Sequence, residues 1–175
     1  MPNSPKPLSL TISCTSLSAD LLPFLLGEVF HVSDFHNYQS ILKCGELRPN
    51  TENLYPTTCG SSLNSYFRLR GCISFFDFRA LPQDESERFH RIYSCSPFPA
   101  RSPRTQLVYF FPSQAAIERL IPWTRWQEEQ AWEEMLVPYV EAGHSGPLSL
   151  SMIEHIMHVD IDCPPSPLEI LIAGS

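Results

Sequence analysis

The chain has 175 residues, 43% of them hydrophobic and 18% charged. That length predicts one domain burying roughly 70% of its unfolded surface, and that composition excludes wholesale disorder. The longest apolar run, Leu21 to Leu26, is six residues and contains Pro23, so no segment is predicted to cross a bilayer as a helix.

Twelve Lys and Arg against nineteen Asp and Glu leave a formal net charge of −7. Such a chain is a poor candidate for coating duplex nucleic acid, where affinity comes from neutralising phosphates. The charges are segregated, however. Arg68, Arg70, Arg79, Arg88, Arg91, Arg101 and Arg104 share one central stretch, while acidic residues dominate from Glu118 onward. An enzyme that binds an anionic ligand beside a carboxylate has this layout.

Six cysteines are spread singly, without a CxxC pair, which excludes zinc ribbons and thioredoxin-like motifs. Pro5, Pro7 and neighbouring serines break the apolar run that a secretory leader needs. Free thiols in a reducing cytoplasm are therefore expected.

In chain order, residues 1–18 read as a flexible N-terminal segment carrying a short strand at Leu8–Cys14. Ser18 or Asp20 caps a short helix to Leu26, and Gly27 ends it. Glu28–Ser33 is a buried strand. Ser33 or Asp34 then starts a helix whose apolar positions Phe35, Tyr38, Ile41 and Leu42 recur at helical spacing, and Gly45 stops it. Asn50–Ser65 is irregular and Cys72–Phe78 is a strand. Ala80–Thr105, rich in proline and without a clean period, reads as a long functional loop. Gln106–Phe111 is a strand, followed by a helix over Gln114–Leu120 capped at Ser113. Glu134–Val140 is a strand edged by Pro138, Gly143–Gly146 is a turn, Ser149 or Ser151 starts a short element, and Ile153–Ile161 closes the sheet. The whole predicts one α+β domain over residues 1–175 with a strongly β core.

Phosphate-binding glycine loops and the GxSxG elbow are absent. His155 and His158, with His144 and Cys163 nearby, lack a third ligand on one face, so no metal site is expected. The phenylalanines Phe75, Phe76, Phe78, Phe110 and Phe111 read as core rather than as a base-stacking platform. A lone His31 in an apolar strand would ordinarily be a core histidine too.

Its company changes that reading. From Phe30 to Leu47 the chain runs strand histidine, hydroxyl at Ser33, Asn37, a helix with Ser40-Ile41-Leu42, and a Gly45-Glu46-Leu47 exit. Ile73-Ser74-Phe75-Phe76-Asp77-Phe78-Arg79 is an aromatic strand ending in arginine, and Glu134-Met135-Leu136-Val137 is a Glu-x-Leu-Val segment. In this order the three blocks resemble NAD-dependent ADP-ribosyltransferases, and most closely the DarT-like group that modifies bases in single-stranded DNA. The resemblance implies an α+β fold with a split, mainly antiparallel β-sheet core and short flanking helices.

It also implies NAD as cosubstrate, with Glu134 and Arg79 catalytic. His31, Ser33 and Asn37 would hold the dinucleotide, and Tyr66 or Phe67 would stack on nicotinamide. Ser33 replaces the group's usual threonine and keeps the hydroxyl. Glu133 competes with Glu134, and Arg68 and Arg70 compete with Arg79, because one step along a strand flips the face. The chemistry suits these types: cleaving the nicotinamide–ribose bond passes through an oxocarbenium-like cation that a carboxylate stabilises. A guanidinium offers a planar fork to a pyrophosphate. The implied acceptor is a base in single-stranded DNA or RNA, with a protein acceptor as the alternative. A toxin or defence role with an antitoxin or immunity partner follows from the same resemblance. An RNA 2′-phosphotransferase-like enzyme and a non-catalytic interaction module on the same fold remain as alternatives.

Overall fold

The computed structural model describes residues 8–55, 63–95, 97, 99 and 104–165. The chain begins with β1 (Leu8–Ser13), α1 (Leu17–Leu25), β2 (Val29–Asp34) and α2 (Phe35–Cys44). Local chemistry sets these boundaries. Asp34 caps α2 by accepting a 2.7 Å hydrogen bond from the Asn37 N–H, and Gly45 ends it in the left-handed region at φ +75°, a conformation with no Cβ penalty for glycine. Then follow β3 (Glu46–Leu47), α3 (Tyr66–Leu69), β4 (Cys72–Asp77) and α4 (Glu85–Cys95). The rest is β5 (Arg104–Pro112), α5 (Gln114–Ile117), β6 (Ile121–Pro122), α6 (Thr124–Glu128), β7 (Glu141–Ser145), β8 (Leu148–Ser149), a 3₁₀ turn at Leu150–Met152, and β9 (Ile153–Asp162).

Seven strands form one sheet in the order β1-β9-β5-β2-β4-β7-β6, and β3 pairs with β8 in a small ribbon. Among the described strand pairs only β1–β9 is parallel, which makes this a mixed, mainly antiparallel sheet in an α+β fold with short flanking helices. One face buries Phe30, Val32, Tyr109 and Phe111 beneath Leu21 and Leu25 of α1 and Ile92 of α4. The other buries Val29, Phe75, Val108 and Phe110 beneath Tyr38 of α2 and Ala116 of α5. Phe30 is fully buried and meets four other aromatic rings, so its truncation to alanine should cost about 3–5 kcal/mol.

β2 changes partner along its length. Val29 and Phe30 pair with Asp77 and Phe76 of β4, whereas His31 to Asp34 pair with Phe110 to Leu107 of β5. The sheet is therefore split between β2 and β4 from His31 onward.

The strand expected at Leu8–Cys14 is present as β1, an edge strand held in six rungs against β9. Other expectations change. β9 consequently lies inside the sheet and does not close it. Ala80–Thr105 is not one long loop, because α4 occupies Glu85–Cys95. Asp84 caps that helix by accepting from the Glu87 N–H at 2.8 Å, and Glu85 and Glu87 favour its N-terminal dipole. Among its described side chains only Ile92 is fully buried, while Phe89 and Tyr93 at the same helical spacing stay exposed. Finally, Glu134–Val140 is not a strand. Pro138 brings no N–H, and Tyr139 adopts φ +66°, so the chain turns there and the strand begins at Glu141.

Candidate functional site

His31 stands where the sheet splits. Its Nδ1 lies 2.9 Å from the carbonyl oxygen of Ser74 across the gap; a carbonyl only accepts, so Nδ1–H donates and a neutral ring leaves Nε2 as an acceptor. Burial lowers its pKa below the ordinary 6.5, and the Ser74 bond offsets part of that. The rings of Phe75 and Phe110 flank it at 5.7 and 6.2 Å. Ser33, two residues on and buried, shares that face and stands opposite Val108 of β5. Asn37 lies in the first turn of α2, its amide turned to the Asp34 carboxylate at 3.5 Å. It orders the helix start directly behind the strand.

β4 and β7 build the other side of the split. Their register sets Phe76 opposite Glu141 and Ser74 opposite Gly143, so these four residues share one face. At one end of that face Tyr66, Phe67 and Cys72 form a third core cluster; at the other lies Phe30 with Phe76 and Phe78. Between the two, Ser74 is exposed and Glu141 half-buried.

Burial pushes the Glu141 carboxyl up to about 7, against an opposing hydrogen bond from the Val137 N–H. A carboxyl that is half-ionised at neutral pH serves as general acid or general base. Glu141 was not foreseen from the sequence. The available signal was the bracket of Pro138 and Pro147, which leaves only the residues between them free to pair as an interior strand.

Glu134 has a different setting. It lies in the turn before the Ser65–Met135 bridge, and its carboxylate takes a 2.5 Å hydrogen bond from Arg70. Arg70 also holds Glu129 at 2.7 Å and lies 3.7 Å over the Tyr66 ring. Glu133 is exposed, and its carbonyl accepts from the Asn64 amide. Of Glu133, Glu134 and Glu141, it is Glu141 that opens a strand.

Arg79 lies just beyond β4, paired with Asp77 through two hydrogen bonds of 2.9 and 2.7 Å. The Asp77 N–H in turn donates to the Val140 carbonyl at the start of β7. Arg79, Asp77 and Glu141 therefore gather at one end of the β4–β7 pair. Arg68 belongs to α3, away from that end.

Tyr66 and Phe67 are fully buried, so no ring face is open for stacking. Phe67 instead covers Gly143, where an added Cβ would lie 2.1 Å from its ring. Burial pushes the Tyr66 hydroxyl up to about 12. His155 and His158 leave β9 on opposite faces, the first stacked on Phe111 at 4.1 Å and the second edge-on to Tyr38 at 4.8 Å.

Compared with protein-family models, curated proteins and solved structures, the chain matches none of them. Among the described residues, no helix is long and apolar enough to cross a membrane.

Proposed function

We propose that the chain is an NAD-dependent mono-ADP-ribosyltransferase whose working carboxylate is Glu141 rather than Glu134. The observation that carries this reading is the Glu141 carboxyl, raised to about 7, at the head of β7 beside the exposed Ser74. The donor set suits a dinucleotide: Arg79 offers a guanidinium to a pyrophosphate, and Glu141 receives a ribose hydroxyl. NAD supplies the ADP-ribosyl group when its nicotinamide–ribose bond breaks. Ionised Glu141 stabilises the developing positive charge and takes the proton from the attacking group. His31 and Glu141 leave the sheet toward opposite faces, and the His31–Ser74 hydrogen bond spans the gap between β2 and β4, so the dinucleotide in this reading lies on the Glu141 face.

The acceptor in this reading is a base in single-stranded nucleic acid. Support comes from the rim near Glu141, where Tyr139 lies 4.5 Å from Trp123 and the Arg91 guanidinium stands 5.1 Å over the Tyr139 ring. Tyr93 of α4 is exposed as well. Aromatic faces interleaved with arginine hold unstacked bases without demanding high net charge. The central arginines do not form a continuous basic track: Arg70, Arg79, Arg91 and Arg104 are each paired with a carboxylate. A toxin or defence role, with a neutralising partner, would follow from the same activity.

The test is nicotinamide release from NAD, with mass spectrometry of single-stranded DNA, RNA and protein acceptors. Wild type and Glu134→Gln should both react, whereas Glu141→Gln should not. Loss in Glu134→Gln with activity retained in Glu141→Gln would reverse the assignment. No release by the wild type with any acceptor would refute the enzyme reading.

A further inference from the structure

The β1–β9 ladder does not stop at its last strand residues. Ser13 stands opposite Asp162, and the Cys14 N–H donates to the Asp162 carbonyl at 3.0 Å, the next bond of a parallel register. Cys14 therefore faces Cys163 directly across the two chains. Neighbouring strands run about 4.8 Å apart, within the Cα separation that a disulfide spans. Both cysteines pack against the core that also holds Leu17, Ile12 and Ile161, so their approach is set by packed neighbours. Cys44, by contrast, is exposed on α2, and Cys72 is buried in the third cluster.

We propose that Cys14 and Cys163 form a redox-responsive disulfide that locks the edge strand β1 onto β9. The oxidant is a small disulfide such as oxidised glutathione. The Cys14 thiolate, the more accessible of the two, attacks one glutathione sulfur. The S–S bond of glutathione breaks, one glutathione thiolate leaves, and a mixed disulfide forms on Cys14. Cys163 then loses its proton to solvent and attacks the Cys14 sulfur, expelling the second glutathione. Two cysteine thiols are oxidised and one glutathione disulfide is reduced to two thiols. Burial pushes the Cys163 thiol up, so the second step is the slow one at neutral pH, and it accelerates as pH rises.

The folded wild-type protein would be equilibrated with oxidised glutathione, alkylated and digested without reduction. The expected product is a Cys14–Cys163 linked peptide, with a mass about 2 Da below the summed reduced peptides. Oxidised wild type should also melt about 5–10 °C above reduced wild type, while Cys14→Ser shows no such difference between the two conditions. Two results would overturn the proposal. One is recovery of Cys14 and Cys163 in alkylated form while Cys44 carries glutathione. The other is a stable mixed disulfide on Cys14 that never resolves. Neither readout depends on the transferase reading.

Discussion

Replacing Glu141 with glutamine removes a charge at the head of β7 while keeping the side chain's shape and its ability to accept from the Val137 N–H. The carboxyl is raised from an ordinary 4.5 to about 7. Below pH 4.5 it is protonated whether the chain is folded or not, so burying it brings no ionisation cost. Between the two values the folded state holds more protons than the unfolded state, and stability falls as pH rises. Above 7 the loss is complete. Those 2.5 units correspond to about 3 kcal/mol, reduced to ~2 kcal/mol by the partly open setting. Glu141→Gln should therefore match wild type near about pH 5 and melt roughly 4–8 °C higher near about pH 8.5. Thermal melts of both proteins across that range measure the difference directly. An offset that stays constant with pH would show that the carboxyl titrates as a solvated glutamate, and the argument for Glu141 as a proton-transfer group would fail with it.

Glu134→Gln should leave nicotinamide release within about threefold of wild type while weakening the fold by about 1 kcal/mol through loss of the Arg70 pair, a change read by urea denaturation. Gly143→Ala drives a methyl into the Phe67 ring and should cost about 1–3 kcal/mol or more; unchanged stability would mean that Phe67 moves freely. Asp34→Ala removes the cap of α2 and should cost about 1 kcal/mol, with hydrogen exchange rising first at Asn37. NMR titration should find the His31 ring changing protonation below 6.5, and a midpoint at or above that value would contradict its burial.

What could be read from the chain was what local chemistry decides. Asp34 and Gly45 bound α2, and Gly27 follows α1 with φ +82°, because caps and left-handed turns act over a few residues. The strand holding His31 and Ser33, and the strand that Arg79 follows, were legible for a related reason: each carries its apolar pattern within its own segment. β7 was not, since Glu141–Ser145 becomes a strand only by pairing with β4, nearly seventy residues earlier. The Glu-x-Leu-Val pattern drew attention to Glu134, and nothing nearby in the chain reveals that Arg70 occupies its carboxylate. α4 escaped because its apolar stripe, Phe89, Ile92 and Tyr93, is short and set in a proline-rich stretch. Its helical signal lies in Asp84, Glu85 and Glu87, where the periodicity of buried residues says little.

The parallel pairing of β1 with β9 bears on the order of assembly. Leu8 meets Met157 and Ser13 meets Asp162, so almost the whole described chain lies between the partners. Contacts of such sequence separation form against a large loop-closure entropy. The helix-capped β2–α2 unit and the β4–β7 pair can organise earlier, and β9 must first settle against β5 before it offers an edge. β1 is thus expected to dock last during refolding and to detach first on unfolding. Its amides, though made first on the ribosome, would be the last of the sheet to gain protection from exchange.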